Sequence, residues 1–229
     1  MSGRQVVPRP AGWRPGGPAP WEGRDPADLQ GVNLARVRKA LRVAPPTPVL
    51  FDGFPDSGVS AAVLVALFEE AGEARVVLTR RAAHLRVHQG EVSFPGGRID
   101  PGEDARSAAL REAAEEVGIR PGSVEIVGEL TALGTWSSKA TITPLVGILE
   151  ARPELSPNPQ EVERAFDVAL ADLLVPGVYR EERWHIPGRR VPGSPDSSFP
   201  VWFFELPGDT VWGATARILV ELLSVVLEE

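Results

Sequence analysis

Between Gly97 and Ile119 the chain places Glu103, Arg111, Glu112, Glu115 and Glu116 at fixed spacing, bracketed by glycines at Gly97 and Gly118. The closely set Glu112, Glu115 and Glu116 are hard oxygen donors of the kind that suits Mg²⁺ or Mn²⁺. Next to oxyanions, such a cation supports hydrolysis at phosphorus: it neutralises phosphoryl charge, acidifies a bound water and orients the leaving group. The run therefore reads as a metal-dependent pyrophosphate site.

The element that must carry these groups is a helix. From about Ala105 to Val117 the chain is rich in Ala, Leu, Glu and Arg, all good helix formers, and Gly118 follows as a left-handed C-cap residue. At 3.6 residues per turn, Leu110, Ala113, Ala114 and Val117 fall on one stripe, with Glu112, Glu115 and Glu116 on a face roughly 160° away. One side is expected to meet a core and the other to hold three carboxylates together. Their like charges call for a counter-charge, most economically a divalent cation. Upstream, Phe94-Pro95-Gly96-Gly97 predicts a stiff turn whose glycines let backbone amides and carbonyls approach a metal or phosphate.

Together, Gly97, Glu103, Arg111, Glu112, Ala113, Glu115, Glu116, Gly118 and Ile119 resemble the Nudix box, with Ala113 small where a bulkier aliphatic residue is common. The resemblance implies a hydrolase that cleaves a nucleoside diphosphate linked to another group, using Mg²⁺ or Mn²⁺ and in-line attack of water. It implies Glu112, Glu115 and Glu116 as catalytic metal ligands with Gly97 beside them, and a Glu103–Arg111 ion pair that holds loop to helix, Arg111 counting with the catalytic set. The base is left open between a box glutamate and a carboxylate elsewhere.

Leu78-Thr79, Arg81-Ala82, Arg86, Gly90 and Phe94-Pro95-Gly96-Gly97 resemble the extra signature of the coenzyme A pyrophosphatase branch, with Val77 in place of its first leucine. The substrate so implied is coenzyme A (CoA), as such or in acyl or oxidised form, cut to 3',5'-ADP and 4'-phosphopantetheine. Arg81, Arg86, Gly96 and Gly97 become the substrate-binding candidates, since guanidinium forks bind phosphate oxygens bidentately. An ion pair with the box carboxylates is the other role open to the arginines. Asn158-Pro159-Gln160-Glu161-Val162 resembles a loop of the same branch in which a glutamate approaches metal or water, making Glu161 a catalytic candidate; the same residues also read as the start of an amphipathic helix running to Leu174. Asp167 and Asp172 rank below it. His84 and His88, with one further histidine and no cysteine in the chain, make a poor zinc site and suit loop hydrogen bonds or phosphate contact.

Composition narrows the remaining classes. A net charge of −7, from 24 Lys plus Arg against 31 Asp plus Glu, argues against a general nucleic-acid binder and makes a metal the mediator for an anionic substrate. Without cysteine there is no disulfide framework and no thiol catalysis. No signal peptide or membrane span is visible, so the expectation is a cytoplasmic protein with no membrane partner, whose partner is a small nucleotide. Family analogy admits a homodimer. Other nucleoside diphosphate derivatives such as ADP-ribose are the alternative substrates. A non-catalytic nucleotide sensor is a further alternative, disfavoured by the intact box and the lack of a basic recognition helix.

At 229 residues the chain suits one domain, 27–229, preceded by a Pro/Gly-rich tail, 1–26, disordered or extended and tacked down by Trp13 and Trp21. Helical spacing runs from Asp28 to Val43 up to the Pro45-Pro46 breaker, and again from Gly213 to Leu227. Ser60–Phe68 and Arg75–Thr79 predict a hairpin or paired strands, and Val124–Thr131 and Thr141–Leu149 read as further strands, the last with a buried series Ile142, Leu145, Val146, Ile148. The 177–200 stretch, with Tyr179, Trp184 and His185, reads as a lid or specificity loop. The aromatic runs 201–204 and 211–215 resemble the C-terminal pattern of the same branch and suggest core or dimer contact ahead of base-stacking platforms. The fold class expected is α/β: a Nudix-type α/β/α sandwich with a mixed sheet and a loop-helix-loop box.

Overall fold

The computed structural model describes residues 5, 7–43, 59–85, 87–135, 140–185 and 196–228. In chain order the strands are β1 (Arg14–Pro15), β2 (Val59–Glu70), β3 (Glu73–Arg81), β4 (Val92–Ser93), β5 (Gly96–Arg98), β6 (Val124–Glu129), β7 (Leu133–Gly134), β8 (Ala140–Leu149), β9 (Val162–Ala169), β10 (Tyr179–His185), β11 (Ser198–Leu206) and β12 (Asp209–Trp212). The helices are α1 (Leu34–Val43), α2 (Ala105–Val117), α3 (Leu170–Leu173) and α4 (Gly213–Leu227).

The larger sheet runs β4-β3-β2-β8-β6, with β9 on β3, β5 on β2 and β7 on β8. It is mixed, because β2 and β8 run parallel while the other pairs are antiparallel. Alternation along β2 explains why helices flank both faces. Ala62, Leu64, Ala66 and Phe68 join Ala108, Ala109, Ala113 and Val117 of α2 in one core, whereas Val65 and Leu67 join α1 and α4 in the other. A strand buried on both sides pins the register, since a slip of one residue would exchange the two cores.

The 161–174 run is a correction to the helical alternative. Its first part is β9, paired with β3 from Arg75↔Ala169 to Arg81↔Val162, and only Leu170–Leu173 is helical. Periodicity lost to long-range pairing, since β3 offers an edge that β9 completes. Helix α1 starts at Leu34 rather than Asp28, because Asn33 caps it: its Oδ1 accepts from Arg36 N at 2.9 Å. Pro45-Pro46 lies outside the described residues. The expected 177–200 lid is corrected too. Tyr179–His185 is strand β10 of a second sheet ordered β1-β10-β11-β12, in which Trp184 and Phe203 are buried; 186–195 lies outside the described residues.

The N-terminal arm is extended and stitched down. Arg14 and Pro15 pair with β10, Trp21 is buried against Tyr179 and Phe204, and Trp13 stays 40% exposed. Arg24 Nη1 and Arg36 Nε donate to the carbonyls of Leu227 (2.7 Å) and Val226 (2.9 Å), capping the end of α4. Among the described residues no helix is long and apolar enough to cross a membrane.

Candidate active site

Helix α2 has caps at both ends. Asp104 Oδ1 accepts from Ser107 N at 2.7 Å, and Gly118, at φ +75°, turns its own N–H and that of Ile119 back onto Ala114 and Ala113. Before the helix, β5 lies antiparallel on β2 with Gly97 opposite Ala62. The expected stiff turn is thus shorter than read, with Gly96 and Gly97 already in strand. A Cβ on Gly97 would stand 2.3 Å from the Glu112 carboxylate, so glycine is what lets strand and helix close on each other there.

Arg111 organises the loop-to-helix junction, and each of its five N–H groups has an acceptor. Its Nε and Nη2 fork the Glu103 carboxylate at 3.0 Å each, Nη2 also meets Arg98 O at 3.0 Å, and Nη1 reaches Glu112 at 2.9 Å and Glu115 at 3.4 Å. Asp100 N donates to Glu103 as well, at 3.1 Å. The Arg111 fork, then the Asp100 amide, holds the Glu103 carboxyl below its ordinary range.

Glu116 lies opposite. It is only 4% exposed because β2 and β5 close over this side of α2, so the carboxylates do not share one open face as helical spacing suggested. Its Oε2 accepts from Gly96 N at 3.1 Å and its Oε1 is 3.9 Å from Arg81 Nη1. Burial pushes the Glu116 carboxyl up to about 7, opposed by the Gly96 amide and Arg81 and reinforced by Glu161 and Glu112. Burial likewise raises Glu112, which Arg111 opposes and the charges of Glu115 and Glu161 reinforce. Glu115 is exposed and turned toward Arg111, one helical turn back. Thus Glu112, Glu116 and Glu161 feel one another, and Arg111 supplies the counter-charge that the sequence reading left to a cation. Among the described residues no three such groups converge tightly enough to hold an ion as they stand.

The donor set nonetheless fits a hard divalent cation. Two carboxylates are withdrawn from water beside a third, with proton affinity raised first by burial and further by neighbouring carboxylate charge. Glu161 reaches this group through a loop hung on the end of α2, where Ser156 N donates to Val117 O at 2.9 Å and Asn158 N to Glu116 O at 2.8 Å. Those carbonyls are ones a helix end leaves without an internal partner. Of the candidate arginines, Arg81 stands beside Glu116, and Arg86 lies outside the described residues. His84 and His88 do not converge: His84 Nε2 meets Gln160 O at 3.0 Å and His88 Nδ1 meets Glu91 at 2.7 Å.

A family model, NUDIX domain, matches residues 59–188, which holds every element just described from β2 through β10. The chain belongs to the Nudix family. It is 35% identical over 186 residues to the Nudix hydrolase NudL of Photorhabdus laumondii, covering 81% of this chain and 92% of that one. It is 39% identical over 122 residues to Nudix hydrolase 3 of Caenorhabditis elegans, covering 52% and 51% of the two chains. To mitochondrial Nudix hydrolase 15 of Arabidopsis thaliana it is 37% identical over 178 residues, covering 73% and 59%. The chain thus spans about half to three fifths of the length of these last two relatives. Among Nudix structures, the binary complex of C. elegans Ap4A hydrolase aligns at TM-score 0.44 and 25% identity, over 50% of this chain and 82% of that one.

Sequence reasoning named the Glu103–Arg111 pair but missed other residues that hold this Nudix site together, among them Asp104 and Asn158. Asp104 was legible, being an acidic N-cap directly before the helix. The closure over Glu116 and the His84 contact had no local signal, because both arise between segments distant in sequence.

Proposed function

We propose that the chain hydrolyses the diphosphate of CoA, or of an acyl or oxidised CoA, to 3',5'-ADP and 4'-phosphopantetheine, with Mg²⁺ or Mn²⁺ as cofactor. The observation that carries this reading is the uninterrupted run of the CoA-branch signature from Leu78 to Gly97 directly into the box residues. Arg81 stands between the two roles open to it: its guanidinium lies 3.9 Å from Glu116, the ion-pair role, while its buried Nε has no hydrogen-bond partner, and that unused donor is what supports substrate binding.

In this reading Glu112, Glu115 and Glu116, with the Gly97 backbone, hold the cation, which when bound supplies charge neutralisation at the diphosphate and a more acidic water. Arg81 and Arg86 take phosphate oxygens, and Gly96 and Gly97 let the loop approach the diphosphate closely. Glu161 orients the attacking water and accepts its proton, as the P–O bond of the bridge breaks and the departing phosphate keeps the electron pair. Arg111 and Glu103 keep loop and helix in register. The protein is then a cytoplasmic small-molecule enzyme without a nucleic-acid or membrane partner, and a homodimer is compatible with it.

The test is product analysis with Mg²⁺ or Mn²⁺ on CoA, ADP-ribose, NADH and diadenosine polyphosphates, with Glu116→Gln as blank. Preferred release of 3',5'-ADP from CoA is expected. Preference for another diphosphate keeps the hydrolase and removes the CoA assignment, and no turnover favours a sensor.

A further inference from the structure

We infer that His84 is a positioning residue for Glu161: from the loop between β3 and β4, its imidazole holds the loop between β8 and β9 at the site. This rests on the reading of Glu161 as the group that handles the attacking water. The need for such a hold follows from place. Glu161 is exposed on a loop tied to the end of α2 through Ser156 N and Asn158 N, so its carboxylate is only as well placed as that loop.

What holds the loop there is mostly backbone. Asn158 O accepts from Glu161 N at 3.0 Å and Val162 N at 2.8 Å, and Asn158 Oδ1 accepts from Gln160 N at 3.1 Å, closing a tight turn around the residue before Glu161. From the facing loop, Ala82 N donates to Glu161 O at 2.8 Å. Two residues further on, His84 Nε2 meets Gln160 O at 3.0 Å. The two contacts grip adjacent carbonyls, those of Gln160 and Glu161, and a peptide held at consecutive carbonyls loses its freedom to rotate about the intervening bond. The Ala82 contact is backbone and persists through substitution, whereas the His84 contact is a side chain crossing from one loop to the other.

The geometry also determines the tautomer. A carbonyl oxygen only accepts, so Nε2 carries the proton, and both the neutral Nε2–H form and the imidazolium make the bond. The clamp therefore works in either protonation state of His84. Because His84 is exposed, its replacement leaves the cores intact.

The experiment compares His84→Ala, His84→Gln, Glu161→Gln and His84→Ala/Glu161→Gln on the best substrate of the panel, with a tautomer measurement on the metal-free protein. His84→Ala is expected to lower kcat roughly three- to tenfold with KM within about twofold, and His84→Gln, which keeps an N–H donor, to restore most of it. In the Glu161→Gln background, loss of His84 adds nothing further. Long-range ¹H–¹⁵N correlation at a pH where the ring is neutral is expected to show the Nε2–H tautomer. A risen KM with unchanged kcat, full additivity with Glu161→Gln, or an Nδ1–H tautomer each overturns the inference. An unhindered Glu161→Gln strikes the reading of Glu161 itself, whereas a crippled Glu161→Gln beside an unaffected His84→Ala strikes the clamp alone. If no substrate of the panel turns over, the tautomer measurement decides.

Discussion

Replacing Gly97 with alanine should damage the site far more than the fold, and the reason is a single contact. Gly97 sits in extended strand on β2, a conformation alanine adopts freely. A Cβ there would meet Glu112 Cδ and Oε1 at 2.3 Å and Oε2 at 2.7 Å, whereas real Cβ contacts essentially never fall under 3.0 Å. The carboxylate must therefore swing aside by about 1 Å, which breaks the 2.9 Å bond from Arg111. A charge-assisted hydrogen bond contributes about 1.5–3 kcal/mol, and the lower part of that range applies because Arg111 is about a third exposed. The smaller unfolded-state entropy of alanine offsets about 0.4–1 kcal/mol. A net loss of about 1 kcal/mol should lower Tm by roughly 2–4 °C. Misplacing a reacting or ligating group by that distance costs about 100-fold in rate. The assay pairs thermal melts with Mn²⁺ titration calorimetry and turnover, in Gly97→Ala, Glu112→Ala and the double variant. In the Glu112→Ala background the clash is gone, so adding Gly97→Ala should be neutral or stabilising. If it destabilises there as much as in the wild type, the steric argument is wrong.

Glu112→Gln and Glu116→Gln each remove one carboxylate charge without changing shape; both should lower turnover by roughly several orders of magnitude and weaken divalent-cation binding by calorimetry, with circular dichroism unchanged. Gly118→Ala forces a side chain to φ +75° and brings its Cβ to 3.2 Å from Ser156 Cβ, so denaturant unfolding should show a loss of about 1–2 kcal/mol. The variant should also loosen the loop that carries Glu161, read as faster amide exchange at Ser156 and Asn158. The hydrogen bond to Glu91 raises His88 above its ordinary 6.5. A raised histidine contributes stability that is fully present below the unfolded value and is lost as pH climbs through the folded one. The Tm advantage of wild type over His88→Asn should therefore shrink from pH 6.5 upward; an advantage that grows with pH would reverse the assignment.

What the chain discloses before folding depends on how local each cause is. Helix α2 was legible to the residue, from Ala105 to Val117, because its end signal is the next residue along, Gly118. Helix α4 was equally plain from Gly213 to Leu227. The hairpin of β2 and β3 followed from two β-rich runs around a short polar segment, and the mixed sheet between helices followed from their order. Two causes lay out of reach. Strand β9 owes its state to a partner more than eighty residues earlier, and β10 belongs to a second sheet with no counterpart in local pattern, whereas the Asn33 cap that shortens α1 is a local signal that the periodic reading passed over. The site divides in the same way. The spacing that brings Glu103 and Arg111 together is helical arithmetic, whereas the burial of Glu116 is imposed by strands folding over it.

The N-terminal arm has a consequence for the order in which the molecule is built. Arg24 caps a carbonyl 203 positions later, Arg36 one 190 positions later, and Arg9 meets Glu182 at a separation of 173. During synthesis these residues emerge well before their partners and wait for them, because 173 to 203 positions separate the two sides of each contact. Such distant closures are late and slow events in folding. The seam they form is therefore where a nascent chain stays open longest, with Trp21 uncovered.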